Sequence, residues 1–404
     1  VGVLGEGEVW RWVDSQLGFG GARIVQLFEA DAKELASRFG LPVPIGFRCR
    51  ELEELKVGLA RLGGRGVLKA QFPFGGRGRA GFVRSVSDVS ELEEAFHEMR
   101  ARSLRGLTPQ EFLLEALHKP VAELYVAETI DVDACRKMLL VSRHGGVDVE
   151  SSGSGGVLRT SIDPVFGLVG YQARALAGHL GFRDRWDQLL ALLRSIDACF
   201  DAYQLRLLEI NPLALMEDGA FLCLDVRMVV DEGTLPRHVD LRQRLLGSEP
   251  KLLGDRLRLE YGLEFVELDG NIGLISGGAG MTMAVIDLIA ARGGRAACFL
   301  DCSANPTREG YGTALRLLNG LRHVTNILVS IIGGATLVDR VAANLVQLIH
   351  EIHISKPLTI RLEGANWERA HAILREAGIS AHRDLEEAVD EAIRLARGTA
   401  GVGA

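Results

Sequence analysis

The sequence predicts a two-part α/β and α+β molecule, with a mixed region through about residue 250 and a doubly wound parallel sheet after it. Three observations carry that reading. A chain of 404 residues is too long for one typical domain, and 47% hydrophobic residues can fill more than one core. Up to about residue 240, strand and hairpin patterns alternate irregularly with helical ones. Beyond residue 262 each apolar strand pattern is followed by a helical one, the signature of βα units with right-handed crossovers.

Taken in order, residues 1–23 read as an added arm. Glu6, Glu8 and Asp14, with little basic charge, make it unlike a signal or transit peptide. Residues 24–39 predict an amphipathic helix with Leu27, Phe28, Leu35 and Phe39 on one side, stopped by Gly40 and Pro42. Gly66-Val-Leu-Lys-Ala-Gln71 predicts a strand that runs into Phe72-Pro-Phe-Gly75-Gly76-Arg77-Gly78-Arg79-Ala80-Gly81. Such glycines let backbone N–H groups approach phosphate oxygens, while Arg77, Arg79 and Lys69 can supply charge. This is not the P-loop pattern, which places Gly-Lys-Ser/Thr at the start of a helix. Phe82-Val-Arg-Ser-Val86 follows instead and predicts a hairpin closing over a nucleotide. Taken alone, the pattern favours a flexible surface hairpin.

The run Leu208-Glu209-Ile210-Asn211-Pro212-Leu213 is the most informative in the chain. Glu209 and Asn211 are two apart on a strand and share a face. Pro212 has no ladder donor and suggests an edge or a strand end. Glu217-Asp218-Gly219 is a turn signal, and Phe221-Leu-Cys-Leu-Asp225 reads as the returning strand, which sets Asn211 opposite Asp225. Two oxygen donors facing each other, with Glu209 alongside, make half a shell for Mg2+. An ordinary hairpin with solvated acids fits the same residues equally well. Ser151-Ser-Gly-Ser-Gly-Gly156 predicts a flexible loop, and the charged stretch 238–262 predicts a linker. The expected organisation is therefore an extension at 1–23, one domain over 24–250 and another over 251–404.

In the second part, strands are predicted near 271–276, 296–301, 326–332, 357–362 and 379–382, the last leading to a helix Leu385–Ala396. Ligands of such sheets bind at the carboxyl ends of the strands. The loops there are Ser276–Gly280, Cys302–Thr307, Gly333–Thr336 and Glu363–Asn366. Three are glycine-rich and open helices, whose free N–H groups and dipole favour anions. Each alone can be simple tight-turn chemistry; four together predict a pocket.

Composition excludes several classes. A net charge of −7 with dispersed basic residues argues against a nucleic-acid surface. Six cysteines show no disulfide framework and no zinc spacing, so buried reduced thiols are expected. No apolar run reaches membrane-spanning length, and a cytoplasmic protein is the expectation.

The blocks Gly40–Gly46, Lys69–Gln71, Gly75–Gly81, Glu115-Ala, Glu123-Leu-Tyr125, Gly145-Gly-Val147, Tyr171-Gln172, Leu208–Leu213, Leu268–Gly273 and Arg361–Gly364 occur in one order. In that order the chain, from Ile24 onward, resembles the β subunit of the ADP- or GDP-forming succinyl-CoA synthetases and their malate– and citrate–CoA ligase relatives. The resemblance implies an N-terminal ATP-grasp domain and a flavodoxin-like CoA-ligase domain. It implies ATP or GTP, CoA and a small carboxylic acid as substrates, and Mg2+ as cofactor. It also implies a CoA-binding α subunit whose histidine is phosphorylated and then activates the acid. None of the ten histidines here stands in that family's Gly-His-Ala-Gly-Ala setting.

Residue by residue, Lys69, Gly76, Arg77 and Gly78 match nucleotide-phosphate contacts, and Glu115 and Glu123 match acidic positions lining the nucleotide site. Asn211 and Asp225 match the Mg2+ ligands, and Glu209 matches the carboxylate that orients the phosphohistidine. Gly334, Ala335 and Thr336 match the turn facing the phosphoryl group. Gly277 stands where the family has a substrate-side asparagine, Ser303-Ala-Asn-Pro-Thr307 replaces Gly-Gly-Gly-Ala-Thr, and Asp231–Arg237 departs as well. The acid-facing half is thus altered, which puts succinate itself in question. Two other readings of the chain stand beside this one: a stand-alone ATP-grasp carboxylate–amine ligase, and a non-catalytic nucleotide-binding subunit.

Overall fold

The computed structural model describes residues 24–146, 156–249, 251–302, 307–334 and 336–399, together with the backbone of 2–4. The chain divides into two compact units, Val1–Lys251 and Leu252–Ala404.

The first unit opens with strands β1 (Gly2–Leu4) and β2 (Ile24–Gln26), then helix α1 (Glu29–Ser37). The helix expected from residue 24 thus starts later. Ile24, Val25 and Gln26 pair with Asp231, Val230 and Val229 instead, and this cross-strand pairing overrides local helical periodicity. Next come β3 (Gly46–Cys49), α2 (Leu52–Arg61), β4 (Gly66–Ala70), β5 (Val83–Val86), α3 (Val89–Ala101) and β6 (Phe112–Glu115). Their strands form a four-stranded antiparallel sheet in the order β3-β6-β4-β5. Helix α3 is set by a reciprocal cap: Asp88 accepts from Glu91 N at 2.9 Å and Glu91 accepts from Ser87 N at 2.7 Å. Leu55, Leu59, Leu92 and Phe96 of the helices close one core with Leu68, Phe112 and Leu114 of the strands.

The unit continues with β7 (Ala122–Asp131), β8 (Arg136–Ser142), β9 (Val157–Ile162), α4 (Gly170–Leu180) and α5 (Trp186–Tyr203). It ends with β10 (Leu205–Leu215), β11 (Phe221–Cys223), β12 (Val226–Asp231) and α6 (Val239–Gly247). The larger sheet runs β1-β9-β8-β7-β10-β12-β2, all antiparallel, with β11 paired to β10. Pro212 does not end a strand or lie on an edge, as its missing donor suggested. It sits inside central β10, where the pairing with β7 shifts register between Ile210 and Leu213, so no ladder donor is required of it.

The second unit holds α7 (Leu253–Tyr261), β13 (Glu264–Glu267), β14 (Ile272–Ser276), α8 (Ala279–Ala291), β15 (Cys298–Asp301) and α9 (Arg308–Gly320). It is completed by β16 (Asn326–Gly333), α10 (Val338–Ile352), β17 (Leu358–Gly364), α11 (Trp367–Glu376) and α12 (Leu385–Thr399). The sheet order is β13-β15-β14-β16-β17, parallel except for the antiparallel edge strand β13. Two expectations change here. The segment 379–382 is no full strand; it makes a single parallel bridge between His382 and Arg361. Conversely, β13 gave no clear sequence signal, because its four residues begin and end on glutamates and remain largely open to solvent. The stretch 238–262 is not a bare linker but carries α6 and α7, each anchored by few leucines: Leu241 and Leu245, and Leu257.

Cys49, Cys199, Cys223, Cys298 and Cys302 are buried, Cys135 is exposed, and all six are free thiols. Burial raises the Cys298 thiol to about 11, so it stays protonated. No helix among the described residues is long and apolar enough to cross a membrane. The arm at 5–23, the loop at 151–155, the loop at 303–306 and Ala335 lie outside the described residues.

Candidate active site

Within the first unit, a cavity of about 780 Å³ is lined by Lys69, Gly76, Arg77, Gly78, Glu115, Glu209, Asn211 and Asp225. These come from β4, β6, β10, the loop after β4 and the link between β11 and β12. Residues separated by up to 156 positions are therefore brought to one place.

The glycine-rich loop is anchored at both ends. Lys69 pairs with Val83 across the β4–β5 hairpin, and Ala70 N donates to Phe82 O at 3.0 Å. Phe72 stacks on Phe74 and meets Phe82 edge-on, both ring pairs buried in the core beneath the loop. Inside it, Phe82 N donates to Arg77 O at 2.9 Å. Strand β4 thus supplies Lys69 from a rigid base, while the loop carries Arg77.

The charges form a closed cluster. The Lys69 ammonium lies 2.7 Å from Glu29 Oε1 and 2.8 Å from Glu115 Oε2, and it donates to Leu224 O at 2.7 Å. Lys33, one turn after Glu29 on α1, reaches Glu29 at 2.8 Å, both Glu115 oxygens at 2.5 and 2.7 Å, and Leu224 O at 2.7 Å. Arg77 Nη2 lies 2.8 Å from Glu29 Oε2 and 3.3 Å from Asp225 Oδ2. Burial alone would raise the Glu29 carboxyl, but Lys33, Lys69 and Arg77 outweigh it and hold the group well below the usual carboxylate range. Burial alone would likewise lower Lys69, yet Glu29, Glu115 and Asp225 keep it above the ordinary lysine value and fully charged. Asp225 is pushed up, first by desolvation and then by the nearby Glu29 carboxylate. Its side chain is still 36% exposed, so it is the member of the cluster that faces the open cavity.

The hairpin places the other donors. The β10–β11 register (Leu213 with Cys223) continues to Asn211 and Asp225, with Asn211 N donating to Asp225 O at 3.2 Å. Asn211 Oδ1 accepts from Gly146 N at 2.6 Å, which fixes the amide. The preceding residue must be small, since a Cβ at Gly145 would sit 2.4 Å from Leu124 O. Glu209 is held by Arg227 Nη1 at 3.4 Å, and Arg227 Nε donates to Gln26 Oε1 at 2.9 Å. Glu123 does not line the cavity. It is exposed, and its backbone oxygen accepts from Gly145 N at 2.9 Å, so it stands behind the Gly146–Asn211 contact.

Three members of this site left no mark in the sequence reading: Glu29, Lys33 and Arg227. A usable signal existed for the first two, because Glu29 and Lys33 are i, i+4 partners on one helical face. Gln71, which closes the block Lys69–Gln71, supports the site from behind. Its Oε1 accepts from Ala30 N at 3.0 Å and its Nε2 donates to Lys69 O at 3.1 Å, which ties the start of α1 to β4.

In the second unit, Gly277 follows β14, and Gly334 and Thr336 follow β16. Gly278 N donates to Asp301 Oδ1 at 2.6 Å, pinning the first loop to the end of β15. At the end of β17, a Cβ on Gly364 would lie 2.0 Å from Gly333 O, so only glycine allows the two strand ends to pack this closely. Ala365 N then donates to that same oxygen at 2.9 Å. Helices α8, α10 and α11 start within a few residues of these strand ends and point free N–H groups at the strands' carboxyl side.

Comparison with known proteins matches this division of the chain. An ATP-grasp domain model covers residues 26–215 and a CoA-ligase model covers residues 275–395. The chain is 35% identical over 379 residues to the succinate–CoA ligase [ADP-forming] subunit beta of Desulfurococcus amylolyticus, spanning 93% of this chain and all of that one. It is 33% identical over 380 residues to the subunit of the same name from Chloroflexus aurantiacus, again spanning 93% of this chain and all of the relative. Among solved structures, ATP citrate lyase from Methanothrix soehngenii, in complex with citrate and coenzyme A, is similar with a TM-score of 0.70 at 20% identity. That likeness covers 92% of this chain and is one of fold. With identity above 30% sustained along nearly its whole length, and with an ATP-grasp domain followed by a CoA-ligase domain, the chain belongs to the succinate–CoA ligase β-subunit family.

Proposed function

We propose that this chain is the nucleotide-binding subunit of an ADP- or GDP-forming acid–CoA ligase, and that it phosphorylates a histidine on a CoA-binding partner subunit. The observation that carries the proposal is the gathering of Lys69, Arg77, Glu209, Asn211 and Asp225 around one cavity. Position and charge neutralisation are what phosphoryl transfer asks of a protein.

Lys69 and Arg77 offset the charge of the nucleotide phosphates, and Gly76 and Gly78 let the backbone approach them. Glu115 is the acidic wall of that site, with Glu123 one step behind it. The donor set suits Mg2+: a carboxylate at Asp225 and an amide oxygen at Asn211 are hard oxygen ligands on opposite strands. A cation bound there would favour the ionised Asp225 carboxylate, which burial and then Glu29 push upward. When bound, the ion would be held by Asp225 and Asn211 and would supply positive charge to offset that of the phosphates.

The terminal phosphoryl group moves to the partner histidine: a P–N bond forms as the P–O bond to the leaving diphosphate breaks. Glu209, itself held by Arg227, accepts the imidazole N–H and keeps the other nitrogen's lone pair aimed at phosphorus. The phosphohistidine then passes its phosphoryl group to a carboxylate oxygen. The CoA thiolate attacks the acyl carbon, and inorganic phosphate departs as the thioester forms. Gly277, Gly334 and Thr336 supply the acid- and phosphoryl-facing backbone near the helix N-termini.

The test is a phosphotransfer assay with γ-labelled Mg-ATP, this chain and its co-expressed partner. Acid-labile, base-stable label on the partner histidine is the expected result. Label on this chain instead, or none on either, would overturn the proposal.

A further inference from the structure

Lys33 and Lys69 share the same three oxygen-bearing partners: Glu29, Glu115 and Leu224 O, all within 2.5–2.8 Å of one ammonium or the other. An ammonium has three N–H donors. Those of Lys69 are all committed inside the cluster, so a phosphate oxygen must displace one of these acceptors to reach it. Lys33 does not line the cavity, whereas Lys69 does. A nucleotide can therefore touch Lys69 but not Lys33.

We propose that Lys33 is a positioning residue that releases Lys69 to the nucleotide phosphates; the inference rests on the nucleotide reading of this cavity. Glu29 and Glu115 are both buried. If Lys69 turned to a phosphate oxygen with no second cation present, Glu115 would be left as a buried carboxylate without a partner, which proteins resist strongly. Lys33 duplicates every acceptor of Lys69, so the carboxylates stay paired when Lys69 leaves. The charges agree. Lys33, Lys69 and Arg77 balance Glu29, Glu115 and Asp225 one for one, and removing Lys33 leaves a net negative cluster facing an anionic ligand. Leu224 O is likewise retained by Lys33, which keeps the residue before Asp225 in place.

The experiment is calorimetric titration of the full chain with Mg-ATP, with circular dichroism as the check on folding. Lys33→Met weakens Mg-ATP binding by about tenfold or more, although the substituted side chain never meets the ligand. Lys33→Arg, which keeps the charge, stays within about threefold of the parent. The discriminating variant is Lys33→Met combined with Glu29→Gln. Removing one carboxylate along with one cation restores the balance, so this variant binds more tightly than Lys33→Met alone; a packing role for Lys33 would give no such recovery. Should Lys33→Met fail to fold, the charge-balanced double variant carries the test, binding within about threefold of the parent.

If the parent binds Mg-ATP, Lys69→Met does not, and Lys33→Met binds like the parent, Lys33 has no positioning role and the nucleotide reading stands. If the double variant shows no recovery, the positioning role is overturned as well. If the parent chain binds neither Mg-ATP nor Mg-GTP, the nucleotide reading itself falls.

Discussion

Asp225 and Lys69 sit in one cluster but are expected to fail in different ways. Asp225→Asn keeps the shape and removes one charged oxygen ligand, so phosphorylation of the partner histidine should drop by about two orders of magnitude with the fold intact. Near-normal phosphotransfer by that variant would mean the metal lies elsewhere. Lys69→Ala should instead raise the nucleotide Kd, with a loss of stability held below the roughly 3–5 kcal/mol of a fully broken buried pair because Lys33 still reaches Glu29 and Glu115. Chemical denaturation alongside titration separates the two effects. Gly277 carries a third expectation. An amide there would give an acid a directed hydrogen bond, about 0.5–1.5 kcal/mol net. Glycine leaves room instead, so kcat/KM across a panel of acids should favour a dicarboxylate bulkier than succinate, and a clear preference for succinate over every larger acid would end that idea. The facing of Asn211 and Asp225 was legible in the sequence because hairpin register is local, while the convergence of Lys69 and Arg77 on the same cavity came only from the family resemblance. Glu29 and Lys33 were not legible, since a charged helical residue reads as solvated until the sheet that covers it is known.

Strand β7 shows what a single element hides. Glu128 is fully buried, and neither of its carboxylate oxygens has a hydrogen-bond partner within normal reach. The nearest cation, Lys137 at 3.8 Å, is drawn toward Asp197 and Asp201 of α5. Burial first, and the Asp197 charge second, push the Glu128 carboxyl well above its ordinary value. The sign follows from linkage. A carboxyl raised on folding binds its proton more tightly in the native state, so its contribution is most favourable below the unfolded value of about 4.5 and is lost as pH rises through the folded value. Glu128→Gln should flatten that part of the stability–pH curve and raise stability at neutral pH; an unchanged slope in urea melts would show that Glu128 is ionised throughout. Neither this residue nor the central place of Pro212 was readable in advance. Both depend on pairing between strands far apart in sequence, β7 with β10, whereas the β4–β5 and β10–β11 hairpins are set by adjacent turns and were read correctly. The weak edge strand β13 and helices α6 and α7 were missed for the converse reason: with at most two buried apolar residues each, they give too little periodicity to detect.

The whole chain joins two units with separate chemical equipment. The first gathers cations, carboxylates and an amide oxygen around a cavity; the second offers helix N-termini at the ends of parallel strands. What neither provides is a phosphorylatable histidine in the family's glycine–alanine setting, although the chain has ten histidines. Phosphoryl transfer from nucleotide to acid without such a carrier would need the acid beside the terminal phosphate, in the first unit. The cavity there is lined by Glu29, Glu115, Glu209 and Asp225, and its Lys69 and Arg77 are engaged with Glu29, Glu115 and Asp225. The purified chain should therefore bind Mg-nucleotide yet form no acyl-CoA with any acid, and activity should appear only when the partner subunit is added, saturating at a fixed ratio of the two. Acyl-CoA production by this chain alone, free of partner, would remove the division of labour. Amide formation from an acid and an amine by the chain alone would point instead to a self-sufficient ATP-grasp ligase.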